Sequence, residues 1–446
     1  MGNKLSFKLN IPLSRTTYYW SVRTVDAQYQ VSDEYYPEAS FVVRRFVNSN
    51  QSITDLQQSA LAWGDYNNDN YTDLVVSGED INGKSRTILF DNKNGVLEEN
   101  VDIILPYFKN GAFAWGDYDN DGDLDLALSG NSETGKISLI YRNEPTGNLV
   151  LDETNSLSIE NVDQSSMDWG DYDNDGDLDL VVIGVDGLGN YVTKIYRNLN
   201  GILKEDKTQT LSGYANGKVM WVDYDNDGDL DLAVVGDNLD IDYYGGRIYK
   251  NDGNGKLVED PASRLPAVFS SDMEWCDFDS DGDLDVVVIG QSLDNDEIIA
   301  KILVNEPVGV LTESPELSSN LKGVRGGSVC WGDYDNDGDA DLIISGNDVN
   351  NQPILEAYEY KNDTFVQDMY PVFFNNGVQF SSISLMDIEN DGDLDLITIG
   401  ASGVNLTAFS SVYDNNESIV NPNEPPQPPT NLSAVVEGNQ VTLNWN

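Results

Sequence analysis

The chain of 446 residues carries 25 Lys and Arg against 77 Asp and Glu and no His, a formal net charge of −52. That surplus of acid argues against nucleic acid or an anionic membrane as partner. The missing imidazole removes the usual general base and the commonest transition-metal ligand. Hydrophobic residues at 39% and aromatics at 10% support a packed protein rather than a disordered one, and no apolar run is long enough to insert in a membrane.

In chain order, Lys4, Lys8 and Arg15 interrupt any apolar run at the start, so these residues do not read as a secretory signal; an export signal would lie outside this sequence. Thr17–Asp26 and Glu38–Val43 alternate as short strands. The stretch DYDNDGDLDL then occurs letter for letter at Asp117–Leu126, Asp171–Leu180 and Asp223–Leu232, with variants starting at Asp65, Asp277, Asp333 and Asp387. Successive first Asp residues are spaced by 52, 54, 52, 54, 56 and 54 residues. This period predicts seven copies of one supersecondary unit from Asp65 to about Asn415, stacked because no unit can bury a core alone.

Within one unit, Met167–Gly170 reads as a short strand leading into the acidic stretch, and Leu178–Ile183 as a β-branched strand ended by Gly184. Val192–Arg197 gives a third strand, and Ile202-Leu203-Lys204 opens a fourth, more polar one. Four short strands per unit predict the blade of an all-β propeller. Trp63, Trp115, Trp169, Trp221, Trp275 and Trp331 precede the loops, with Leu385 in the last copy; a ring at this phase is expected to pack between blades. Second strands end at Gly78, Gly130, Gly184, Gly236, Gly290, Gly346 and Gly400, and third strands at Asn92, Asn143, Asn198, Asn251, Asn305, Asn362 and Asn415. Asn50–Leu56 resembles the fourth-strand segment Asn200–Asp206, so the N-terminal segment is expected to supply the outer strand of the last blade and leave no free edge. Cys276 and Cys330 are expected to fill small strand positions, a disulfide between neighbouring units being the alternative.

The acidic stretch carries the chemistry. In Asp171, Asp173, Asp175, Asp177 and Asp179, acids fall at positions 1, 3, 5, 7 and 9 around Gly176 at position 6. A calcium loop needs side-chain oxygens at 1, 3 and 5, a sharp turn at 6 and a carbonyl at 7. Asp177 would offer its carbonyl with its side chain in solvent, and Asp179 would close the shell. The equivalent positions are Asp117, Asp119, Asp121, Asp123 and Asp125; Asp223, Asp225, Asp227, Asp229 and Asp231; Asp277, Asp279, Asp281, Asp283 and Asp285; and Asp333, Asp335, Asp337, Asp339 and Asp341. The last copy, Asp387, Glu389, Asp391, Asp393 and Asp395, has Glu at position 3. The first, Asp65, Asn67, Asp69 and Asp73, departs most, with Asn67 at position 3 and Asn70 replacing Gly. An all-oxygen shell suits Ca2+ better than Mg2+, and the absence of His and thiolate disfavours zinc. Up to seven calcium ions, one per blade, are expected.

On these loops the chain resembles the FG-GAP/VCBS repeat family, which includes the N-terminal propellers of integrin α subunits. The resemblance covers about residues 48–418 and implies a seven-bladed propeller of four-stranded blades, with calcium held by the first hairpin of each blade at the positions just named. A loop in nearly every blade is unlike integrins and similar to bacterial secreted members. Thr17–Asp26 with Glu38–Val43 resembles the closing strands of a fibronectin type III domain, and Asn431–Trp445 the opening strands of another. The expected organisation is therefore a partial sandwich over 1–46, the propeller over 47–418, a Pro-rich linker over 419–429 and the start of a second sandwich over 430–446.

The expected function is a non-catalytic, calcium-stabilised binding or adhesion module, monomeric within a longer secreted or cell-surface protein, whose ligand is a protein or a glycan. A carbohydrate-binding or accessory domain of a polysaccharide-processing protein is the alternative, with Tyr243-Tyr244 and Tyr358/Tyr360 as candidate aromatics. A lyase or hydrolase ranks third, because the paired acids sit at metal-loop spacing.

Overall fold

A computed structural model describes residues 46–238, 245–368, 377–403 and 406–415, together with short strands at Thr17–Trp20, Ala39–Val43, Ile419–Val420, Ser433–Glu437 and Gln440–Asn444. The chain divides into two units, Met1–Val47 with Asn416–Asn446, and Asn48–Asn415. In the first unit, Ala39–Val43 pairs antiparallel with both Thr17–Trp20 and Ile419–Val420, and Ser433–Glu437 pairs with Gln440–Asn444.

Among its described residues the second unit is all-β apart from two helical turns, Glu153–Ser156 and Pro315–Ser318. Its basic element is a four-stranded antiparallel sheet, as in Gln57–Gly64, Asp73–Glu79, Ser85–Asn92 and Leu97–Glu99. Two larger sheets each consist of two such elements joined through a single residue pair, Val192 with Tyr214 and Ile354 with Val378. The first strands are Gln57–Gly64, Phe108–Gly116, Asp163–Gly170, Tyr214–Val222, Val268–Cys276, Val329–Gly332 and Val378–Met386. Each touches the next in this order, and the last touches the first.

Second strands such as Asp73–Gly78 and Asp179–Gly184 are buried at every residue, because each sheet is covered on both faces by its neighbours. The apolar core therefore lies between repeats: Val75 and Leu89 of one meet Phe113, Leu126 and Tyr141 of the next. The repeating Trp fills this gap as expected. Trp115 stacks on Tyr66, Trp169 on Tyr118 and Trp221 on Tyr172, with centroids 5.9, 5.7 and 5.1 Å apart. A Cβ on Gly64 or Gly116 would lie within 2.8 Å of the following Trp ring, so glycine there is what lets the ring approach.

Two expectations shift. The outer strand of the last sheet is Val47–Asn48, beside Thr407–Asp414, rather than Asn50–Leu56. Asn50 adopts φ 56° and donates its N–H to Asn48 Oδ1 (2.7 Å), a turn that stops the ladder. The following residues cross the sheet through side chains, Ser410 N–H donating to Asp55 Oδ1 at 2.9 Å. In the sixth repeat the third strand ends at Tyr360, and Asn362 lies beyond it at φ 53°. Tyr360 there packs edge-on against Phe278, with centroids 5.0 Å apart. Cys276 and Cys330 are free thiols, one half-buried and one buried, so the disulfide alternative does not hold.

Every first strand except the sixth also shows a register shift near its start, between Gln57 and Ala60 in the first repeat and Gln379 and Ser382 in the last. One extra residue is accommodated there with positive φ: Gln58, Asn110, Gln164, Asn216, Ser270 and Phe380, with Gly326 at the same place in the sixth. These bulges sit at the end of the first strands remote from the acidic loops, and they line a central channel.

Candidate metal centres

Each acidic loop joins the first strand to the second and is shaped by its own carboxylates. Asp171 Oδ1 accepts from the Asp175 N–H at 3.0 Å and its Oδ2 from the Gly176 N–H at 2.9 Å. Asp175 Oδ1 accepts from the Asp177 N–H at 3.1 Å. Gly176 takes φ 93°, as the turn requires, and Asn174 at position 4 is also left-handed at φ 57°. The same turn recurs around Asp117, Asp223, Asp277, Asp333 and Asp387. The first loop folds alike, with the Asn70 N–H on Asp65 Oδ2 (2.9 Å), but Asn67 Oδ1 turns to the Asp69 N–H (2.9 Å).

This curl brings positions 1, 3 and 9 together. Carboxylate oxygens of Asp117, Asp119 and Asp125 lie within 4.8 Å of one another, as do those of Asp171, Asp173 and Asp179 and of Asp223, Asp225 and Asp231. Asp277, Asp279 and Asp281 form a similar group from positions 1, 3 and 5. Asp179 is fully buried; its Oδ1 accepts from the Asn198 N–H at 2.7 Å, while its Oδ2 has no partner. Asp73, Asp231 and Asp285 repeat this arrangement, with one oxygen on the backbone and Oδ2 unpaired. Oδ1 atoms of Asp119, Asp173 and Asp225 are likewise buried without a partner. Burial pushes the Asp179 carboxyl up to about 8 and those of Asp73, Asp125, Asp231 and Asp285 up to about 7, the neighbouring loop acids adding to the rise. In the last loop Glu389 is raised to about 8, by burial first and then by its hydrogen bond with Asp395. Unpaired oxygens on buried acids converging on one point fit a hard divalent cation with an all-oxygen shell.

Position 7 differs from expectation, because its side chain is tied to the preceding loop rather than left to solvent. Asn68 Nδ2 donates to Asp123 Oδ1 (2.6 Å), Asn120 to Asp177 (2.8 Å), Asn174 to Asp229 (2.6 Å) and Asn226 to Asp283 (2.7 Å). Asn390 Nδ2 reaches Asn70 O at 3.0 Å, linking the last loop to the first. In every repeat but the sixth, the Asn at the end of the third strand forms a second link. Asn198 Nδ2 donates to Tyr118 O of the preceding repeat and to Leu178 O of its own (2.5 and 3.0 Å).

Sequence reading missed the residue just before that Asn. Arg142 comes within 3.9 Å of Asp119, Arg197 is ion-paired with Asp173, and Lys250 pairs with Asp225 and, at 3.3 Å, with Asp227. The last repeat has Asp414 there, its carboxyl raised to about 6 by burial and by Asp395 and Asp391. Aligning the repeats on the Asn would have exposed this variable site. Glu144 is a further missed acid, grouped with Asp119 and Asp121. Of the candidate glycan-facing aromatics, Tyr358 is buried and Tyr360 packs on Phe278 and Phe365, so neither offers an open ring face, whereas Tyr243 and Tyr244 lie outside the described residues.

Among solved structures, rhamnogalacturonan lyase PL11 of Bacillus licheniformis aligns at 13% identity and TM-score 0.42, covering 87% of this chain and 78% of that one. A lectin of Aleuria aurantia in complex with alpha-methyl-L-fucoside aligns at 9% identity and TM-score 0.42, covering 72% and 97%. AofleA from Arthrobotrys oligospora aligns at 11% identity and TM-score 0.42, covering 73% and 92%. No curated protein matches by sequence. FG-GAP-like repeats match at residues 65–128, 117–182, 223–288, 277–344 and 333–398, each match beginning at position 1 of an acidic loop and together spanning more than half of the chain. The chain belongs to the FG-GAP-like repeat family.

Proposed function

We propose that the repeats close as a seven-bladed propeller whose acidic loops hold calcium, and that the propeller is a non-catalytic binding module of a larger secreted or surface protein with fibronectin type III-like neighbours. The observation that carries the calcium reading is the buried position-9 carboxylate with one oxygen on the backbone and the other unpaired, which recurs at Asp73, Asp179, Asp231 and Asp285. Calcium would supply the missing partner and neutralise the acids, and Asp171, Asp173, Asp175 and Asp179 would hold it, with the Asp177 carbonyl. Binding to the native state alone then stabilises the fold by mass action. The non-catalytic reading rests on regularity. The same acids converge on a common point in loop after loop, as metal ligands do, rather than forming a single set in one repeat.

The experiment is thermal unfolding in calcium against chelator, with bound metal counted by mass spectrometry. The midpoint is expected to rise with calcium. Asp175→Ala is expected to lose about one ion per chain and Asp69→Ala less, since the first loop lacks an acid at position 3. An unchanged midpoint, or equal losses, would contradict the reading. For the binding role, a glycan array and a panel of matrix proteins are probed with calcium present. Turnover of a polysaccharide that is abolished by changing an acid outside the loops would overturn the non-catalytic assignment.

A further inference from the structure

The central channel encloses about 590 Å3 and is lined by residues of six of the first strands and by Gly326, Gly327 and Ser328 just ahead of the sixth, a volume suited to a small ligand. Its rim, at the end remote from the acidic loops, is the ring of positive-φ bulge residues. Asn and Gly tolerate this backbone and a bulky ring does not. Phe380 nonetheless adopts φ 50°, remains 46% exposed and rests against Gly326, 3.5 Å from the position of a Cβ there. Its N–H donates to Gly326 O, and Gly326 N–H to Ser270 O, so the rim is held by hydrogen bonds between repeats. Around the ring stand amides and a hydroxyl, Gln58, Asn110, Gln164, Asn216 and Ser270. Gln58 Oε1 is buried with no donor. A strained backbone retained for a half-exposed aromatic is a mark of function.

We propose that this rim binds a neutral hexose-type glycan terminus, with Phe380 as the platform for the C–H face of the sugar and the amides meeting its hydroxyls. This assignment rests on the reading of the chain as a binding module and names its ligand class. A sugar, with an apolar ring face and several hydroxyls, satisfies the two kinds of group together. Deeper in the channel, Asp272 and Glu274 outnumber Lys218, which lies 3.3 Å from Glu274, and the whole chain is strongly acidic. Uronic acids are therefore repelled.

The test is a glycan array carrying neutral, amino and uronic sugars, probed with the full chain in calcium, followed by titration of the best neutral ligand. Phe380→Gly, which copies the residue found naturally at the same place in the sixth repeat, is expected to weaken binding about tenfold. Its thermal midpoint should equal or exceed that of the parent, because the backbone strain is relieved. Phe380→Tyr is expected to keep the affinity. The proposal is overturned if no neutral glycan binds, if uronates are preferred, or if Phe380→Gly binds like the parent. A chain that captures a matrix protein but no glycan would refute this site while leaving the module reading intact.

Discussion

Asn198→Ala removes a side chain that joins two repeats. Asn198 is fully buried, and its amide makes three hydrogen bonds: Nδ2 donates to Tyr118 O and Leu178 O, and Oδ1 accepts from the Gly201 N–H at 2.8 Å. Alanine leaves two carbonyls and one N–H without their partner, and a buried polar group left unpaired costs about 1–3 kcal/mol. Relaxation and entering water recover part of this, so the expected loss is roughly 3 kcal/mol. Lost packing is a smaller effect, because the side chain is small and polar. The assay is urea unfolding followed by intrinsic Trp fluorescence with calcium held constant, comparing midpoints at equal slope. Asn362→Ala is the internal control, since Asn362 lies past its strand and is exposed; it is expected to cost only about 1 kcal/mol, the strain of Ala at φ 53°. A loss below about 1 kcal/mol for Asn198→Ala, or equal losses for the two variants, would refute the idea that these amides clamp neighbouring repeats.

Lys250→Met is expected to tighten calcium binding at the fourth loop about tenfold, because a fixed ammonium beside Asp225 and Asp227 repels an incoming divalent ion; calcium titration calorimetry checks this, and weaker binding would mean that the ammonium organises the loop instead. Asp168 offers a pH test. Burial raises its carboxyl to about 6 despite hydrogen bonds from the Trp169 and Trp221 N–H groups, so the folded chain holds this proton more tightly than the unfolded one. Its contribution is therefore favourable at low pH and is lost as pH rises through about 6. Unfolding of the parent and of Asp168→Asn between about pH 4 and 7 should show the parent losing ground to the variant as pH rises; a constant difference would count against it.

The sheets, the Trp packing and the places of the acidic loops were legible because each leaves a mark at the same phase in every repeat. What escaped was the pairing between repeats. Asn198 and Tyr118 are 80 positions apart, and periodicity shows that each recurs without showing that one reaches the other. The position-7 acids illustrate this: Asp177 looks like a solvated loop residue until Asn120 of the preceding loop is seen to donate to it. Asn362 misled for a related reason. The sixth repeat replaces the amide by Tyr360 and fills the space with an aromatic cluster of Phe278, Trp331 and Phe365, so the nearest Asn in sequence is not its structural equivalent. The channel rim was hidden because a one-residue bulge among Gln, Asn, Ser and Phe leaves no shared residue type to recognise.

The strand at Val47–Asn48 has a consequence for the order in which this chain can mature. Ser49 donates to Val412 across 363 positions, so the residues needed to finish the last sheet are made before any of the repeats. At bacterial to eukaryotic elongation rates they wait roughly 20 to 70 s for their partner to be synthesised. During that time the growing array has two open edges, and each new repeat covers one apolar face while exposing another. Joining of the two ends is thus the last step in closing the array of repeats, and until it occurs a second nascent copy is a competing source of the same strand.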